Sequence, residues 1–116
     1  NNSLYAASGR GFTVDYRIKP DLAAPGVQIS GPVPGNRFGT RTGTSMAAAQ
    51  TAGAAALLME WGLLKGNDLQ LNSHKIIKYL TLGAVRREGV GYPDRAWGYG
   101  RLNLLKTFNE LVTGRT

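Results

Sequence analysis

The stretch Gly43-Thr44-Ser45-Met46-Ala47-Ala48-Ala49-Gln50-Thr51-Ala52-Gly53-Ala54-Ala55-Ala56-Leu57-Leu58-Met59-Glu60-Trp61 decides how this chain is read. A Gly-Thr turn hands over to Ser45, where an alanine-rich helix begins. Only Gln50, Thr51 and Glu60 interrupt the run with larger polar groups. A helix apolar on nearly every side is expected to be buried. At about 17 residues it is roughly 25 Å long, enough to cross a domain core but marginal for a bilayer. Its small side chains let neighbouring backbones come close.

Working outward from this helix, Lys19-Pro20-Asp21-Leu22-Ala23-Ala24-Pro25-Gly26 holds two prolines and reads as an extended segment ending in a Pro-Gly turn. Val27 to Ser30 and Arg37 to Thr42 predict two strands of a β-ribbon with its tip near Gly35. Residues 3–8 alternate weakly and predict a further strand. On the other side, Gly62, Gly66 and Asn67 break the helix. Asn72 or Ser73 caps a second helix with Ile76, Ile77 and Leu80 on one face. Residues 83–100 contain five glycines and one proline and read as a long irregular loop pinned by Tyr92, Trp97 and Tyr99. A last helix is expected from Arg101, with Leu102, Leu105, Phe108 and Val112 near helical spacing. Lys106 and Glu110 stand in the weaker order against the helix dipole.

The 116 residues make one domain or part of one, and 42% apolar residues suffice for a core. Cysteine is absent, which removes disulfides, thiolate metal ligands and a thiol nucleophile. The formal net charge of +7 raises the possibility of an anionic partner. The arginines, however, are scattered through loops without a dense run or an interleaved aromatic platform, which argues against nucleic acid. No membrane segment is expected. The first residues already read as the inside of a fold, so the chain is expected to begin within one.

Ser45 has the best local case for chemistry. Gly43 lacks a Cβ and lets a substrate backbone approach, and Thr44 adds a second hydroxyl. A serine at a helix N-terminus sits beside unpaired N–H groups that favour negative charge. Acyl transfer needs an alcohol next to donors that can hold a developing oxyanion. An ordinary N-cap serine is the competing reading of the same residue.

Gly43-Thr44-Ser45-Met46-Ala47, followed by Ala52-Gly53 and the Ala/Leu run, resembles the nucleophile segment of the subtilisin-like serine peptidases. Lys19 to Val27 resembles the family segment ahead of it, Gly31 to Gly39 the intervening ribbon, and Gly98-Tyr99-Gly100-Arg101-Leu102-Asn103 the opening of the family's C-terminal helix. The resemblance implies an α/β fold, here the C-terminal part of a three-layer subtilisin-like domain with a mostly parallel central sheet. It implies a serine endopeptidase with Ser45 as nucleophile and one oxyanion donor, supported by Thr44 and Gly43. It also implies peptide or protein substrates, no cofactor or metal within residues 1–116, and calcium in the full domain. The alternative is a subtilase-like pseudoprotease acting by binding.

In the family the triad Asp and His and the oxyanion asparagine precede the serine, so residues 1–116 are expected to lack them. Asn1 and Asn2 are too near Ser45 for the oxyanion role. His74, the only histidine, follows Ser45 without the family's glycine-rich context and reads as a surface residue. Asp21 reads as structural, and Asp15, Asp68 and Asp94 have no triad context. Ala49 and Gln50 stand where the family usually has proline and histidine. The Ala-rich run ending Met59-Glu60-Trp61-Gly62 resembles subtilases of anaerobic Gram-positive bacteria, including the spore-germination group, which implies an extracellular, envelope or spore location. Alone, the chain is expected to be inert, to self-associate and to depend on the N-terminal part of its domain as a partner.

Overall fold

The computed structural model describes residues 3–114. Its elements follow in the order β1 (Ile29–Val33), β2 (Arg37–Arg41), α1 (Thr44–Met59), a π-helical turn (Glu60–Leu64), α2 (Ser73–Leu82) and α3 (Leu104–Val112). β1 and β2 form an antiparallel ribbon with Gly31 opposite Gly39. Its tip is Pro34-Gly35-Asn36, where Gly35 and Asn36 both take positive φ. Glycine and asparagine are the residues that adopt this conformation most cheaply. The expected ribbon is therefore present, and it ends two residues short of Gly43.

Around the ribbon and helices, extended segments pair by single bridges. Leu22 pairs with Gly98, Val85 with Arg101 and Asp94 with Gly98, all antiparallel; Ala23 pairs with Arg101 in parallel. The described residues thus contribute an α/β arrangement whose parallel pairing is this one bridge. These contacts also tie down residues 83–100, which are irregular but held, with Tyr99 N–H donating to Asp21 O at 2.8 Å. Residues 3–8 do not form the expected strand. A turn at Ala6–Ala7 takes its place, with the Ser8 N–H bonded to Tyr5 O. No strand among the described residues lies alongside to complete a ladder.

The core gathers Ala54, Leu58, Leu71, Tyr79 and Leu80, with Leu22, Trp61, Ile76, Leu102, Phe108 and Leu111 packed around them. Trp61 meets Phe108 edge to face at 6.0 Å between ring centres, the favoured geometry for such a pair. Only Ala54 and Leu58 of α1 are buried, which corrects the expectation of a buried helix. The described residues pack against one side of it, so Leu57 stays 49% exposed and Met59 45%. The amphipathic faces are also rotated from expectation. In α2 the buried positions are Tyr79 and Leu80, while Ile77 is exposed. In α3, Leu104, Phe108 and Leu111 face the core, whereas Leu105 and Val112 are exposed. The helix starts at Leu104 because Asn103 caps it, its side chain accepting from Lys106 N–H at 2.9 Å. Asn72 caps α2 in the same way through Lys75 N–H.

Where α1 ends, the chain widens into the π turn, with Lys65 N–H reaching Glu60 O at 3.0 Å. Gly62 is buried in this turn, and a Cβ there would come within 2.8 Å of Leu71 Cδ2. The loop that folds over Gly62 brings Asp68 to Lys75 Nζ and Tyr79 Oη, each at 2.6 Å. Lys75 and then Tyr79 hold the Asp68 carboxyl below the usual carboxylate range, while Asp68 raises both partners.

The Asp68 contribution to stability is therefore full above its ordinary pKa of 3.8 and is lost as pH falls through the lower folded value. The raised Lys75 contributes below 10.5 and loses its contribution as pH climbs past its folded value. Asp68→Asn is expected to lower the melting temperature of the intact protein at neutral pH and to flatten its decline in acid. Part of that decline survives through Asp15, which Thr13 and Arg17 also hold low. Melting curves collected from neutral to acid pH check this. An unchanged acid slope would remove Asp68 from the account.

Candidate active site

Gly43 precedes α1 as its N-cap, in extended conformation, and Thr44 and Ser45 are the first two helical residues. This corrects the competing reading of Ser45: it lies two positions beyond the cap, Gly43. Its hydroxyl is exposed and makes no hydrogen bond among the described residues. The first helical N–H groups have no carbonyl one turn earlier to bond. Met46 and Ala47 turn back to Gly43 O at 3.1 and 3.3 Å, leaving the N–H groups of Thr44 and Ser45 without acceptors among the described residues. One residue thus offers a free hydroxyl and a free N–H at the positive end of a helix. Chemically, that combination suits an oxygen nucleophile and a donor for the negative charge its attack creates.

The position of Gly43 is set from the preceding segment. Gly43 N–H donates to Gly26 O at 2.8 Å, and Gln28 N–H donates to Thr42 Oγ1 at 2.9 Å. The two chain segments touch so closely that a Cβ on Gly26 would lie 2.7 Å from Gly43 O and 3.2 Å from Ala47 Cβ. Gly43 itself faces open space, its nearest neighbour on that side being Ser45 N at 3.9 Å. The positioning role of Gly26 was not singled out from sequence. The available signal was the glycine of the Pro25-Gly26 turn that ends the extended segment. Gly26→Ala in the intact protein is expected to push Gly43 and the start of α1 aside. A displacement of about 1 Å costs on the order of 10²-fold in activity. Comparing peptidase turnover and melting temperature checks this. Wild-type turnover in a folded Gly26→Ala variant would contradict it.

Beside the helix, an open groove of about 360 Å³ runs between the ribbon and α1, lined by Ile29, Val33, Met46, Ala49, Gln50 and Gly53 among others. Ala49 and Gln50, three and four residues after Met46, lie on the same groove side of the helix. The other titratable residues raised from sequence are engaged elsewhere. Asp21 pairs with Lys19 at 2.6 Å, Asp94 accepts from the N–H groups of Ala96 and Trp97, and Asp15 is bonded to Thr13 and Arg17. His74 is exposed in the first turn of α2. None of them is joined to Ser45, and Asn1 and Asn2 lie outside the described residues. Among the described residues, no three or more histidine, aspartate or glutamate side chains gather into a group that could hold a metal ion. No helix among the described residues is long and apolar enough to cross a membrane.

Comparison with known proteins accounts for the arrangement. The model of the subtilase family matches residues 1–100. Subtilisin-like protease 10 of Arthroderma otae is 42% identical over 95 residues, covering 82% of this chain and 22% of the relative. Pyrolysin of Pyrococcus furiosus is 34% identical over 94% of this chain, which spans 8% of it. Among solved structures, the CspB protease of Clostridium perfringens superposes with a TM-score of 0.90 at 45% identity, over 96% of this chain and 24% of that one. The protease domain of PatA, as its S218A mutant, gives a TM-score of 0.64 at 30% identity over 78% of this chain. The chain spans less than a third of the length of each of these proteins. Matched in sequence across most of its length and in fold by solved subtilisin-like proteases, the chain belongs to the subtilase family of serine peptidases.

Proposed function

We propose that this chain is the C-terminal portion of a subtilisin-like catalytic domain and that Ser45 is the nucleophile of a serine endopeptidase. The observation that carries the proposal is the exposed, unpartnered Ser45 hydroxyl beside its own acceptor-free N–H at the start of α1. Ser45 Oγ attacks the carbonyl carbon of a peptide bond and loses its proton to a general base. The negative charge that develops on the carbonyl oxygen is met by the Ser45 N–H. The base returns that proton to the leaving nitrogen, collapse expels the amine and leaves an ester on Ser45, which water then hydrolyses. Gly43 keeps the approach open, and Thr44 supports the same turn.

The base, its orienting carboxylate and a second oxyanion donor come from the part of the protein that precedes residue 1. No residue described here supplies them, so residues 1–116 alone hydrolyse nothing. A fluorophosphonate probe applied to the intact protein tests the reading. Labelling is expected on Ser45 and is absent from residues 1–116 expressed alone. A folded intact protein that takes no label would count against the nucleophile and favour a binding protein built on the same fold.

A further inference from the structure

We propose that the segment from Arg86 to Trp97 forms a docking surface for an acidic polypeptide segment, sharing no residue with the site at Ser45 and independent of the role assigned there. Arg86 lies over the ring of Tyr92 at 5.8 Å, Arg87 over Trp97 at 5.2 Å and Arg95 over Phe12 at 4.7 Å. All three arginines are exposed, and all three rings are half-buried. Each ring is a platform fixed in the fold, with a guanidinium laid upon it. The aromatic surface attracts the cation and restrains its plane. Further bonds fix this arrangement: Arg86 Nε donates to Tyr99 O at 2.8 Å, and Tyr92 Oη accepts from Arg87 N–H at 2.8 Å.

Among the described residues, the charges on this surface have no acidic partners. The ion pairs among the described residues join Arg17 to Asp15, Lys19 to Asp21 and Lys75 to Asp68. Asp94, the nearest acid in sequence to Arg95, spends its carboxylate on the N–H groups of Ala96 and Trp97. Glu88 is exposed and forms no ion pair with the three arginines. Arg86 spends Nε on Tyr99 O and Arg95 one Nη on Gly11 O at 3.4 Å, but the remaining N–H groups of these two and the guanidinium of Arg87 stay available to a carboxylate, and groups already held flat lose little freedom in bonding it. The surface therefore fits glutamate and aspartate side chains. It fits single-stranded nucleic acid poorly, because the rings that could stack on bases already carry arginines.

Fluorescence anisotropy of the intact protein against a short labelled polyglutamate peptide tests the assignment, with a neutral peptide and an oligothymidylate of equal charge as comparisons. Polyglutamate is expected to bind, with affinity that falls as salt rises. The R86Q/R87Q variant is expected to lose roughly tenfold or more, and R86K/R87K to recover only part of it, because lysine lacks the planar fork. The R37Q/R41Q variant removes the same charge from the ribbon and is expected to bind like the wild type. Equal losses in both glutamine variants would reduce the effect to net charge and overturn the proposal. So would unchanged binding in R86Q/R87Q, or tighter binding of the oligothymidylate. Should R86Q/R87Q fail to fold, R95Q alone is expected to weaken binding, and wild-type binding by it would overturn the proposal.

Discussion

Ser45→Ala, introduced into the intact protein, is expected to abolish peptide hydrolysis while leaving the fold in place. The hydroxyl is exposed and bonded to nothing among the described residues, so removing it orphans no buried partner. Alanine is also the best helix former for the first turn of α1. The stability change is therefore expected within about 0.5 kcal/mol. Catalysis is different, because the bond-forming atom is gone. The expected loss in kcat is on the order of 10⁶-fold, the scale known for removing the nucleophile of subtilisin itself. Residual turnover over water persists through substrate binding and oxyanion donors. Turnover assays and melting curves on the same preparation separate the two effects. A folded variant that retains more than about a tenth of wild-type turnover would transfer the nucleophile's role to another residue.

Gly98→Ala is expected to destabilise the fold strongly, by about 3 kcal/mol or more. Gly98 is buried with φ at 61°, a conformation costing a side-chain-bearing residue about 1 kcal/mol. The added Cβ would stand 2.4 Å from Pro20 O and 2.5 Å from Asp21 C. Both obstacles are backbone, so no rotamer change relieves them. Gly98 exchanges two bonds with Asp94, each at 2.8 Å, which prevents it from retreating. The strain would enter residues 20–26 and travel along them to Gly26, where Gly43 is held. Gly98→Ala is thus expected to lower both the melting temperature and the labelling of Ser45 by a fluorophosphonate. A melting temperature indistinguishable from wild type would show that residues 20–22 can yield.

Elements set by local chemistry were legible in the sequence. The ribbon tip at Pro34-Gly35-Asn36 and the Asn72 cap follow from what those residues do to their own backbone. Ser45 at the mouth of a helix was legible for the same reason, and the matching motifs around it pointed to the family. Features set by distant partners were less visible. The inward faces of α2 and α3 depend on where Leu58 and Trp61 sit, so Ile77, Leu105 and Val112 fitted the periodicity yet face outward. The π turn follows from Leu71 closing over Gly62, a contact that no local pattern marks. Residues 83–100 looked unstructured because their order lies in single bridges, from Gly98 to Leu22 and from Val85 to Arg101. The arginine–aromatic pairs were hidden likewise, since Phe12 is remote from Arg95 in sequence.

Helix α1 also has a shape. From Ala47 to Ala56 its side chains are alanine and glycine apart from Gln50 and Thr51, whereas Leu57, Leu58, Met59 and Trp61 crowd the far end. It is a tapered peg, slim at Ser45 and broad at Trp61. Polarity does little to fix the rotation or direction of such a peg, because most of its surface is apolar. Girth does: at the broad end Leu58 and Trp61 pack into the cluster of Leu71, Tyr79, Leu80 and Phe108, while Leu57 and Met59 stay outside it. The slim end is left where backbone must pass close by, as Gly26 does. Bulk thus aims Ser45, and enlarging the slim end would disturb its aim without touching the serine.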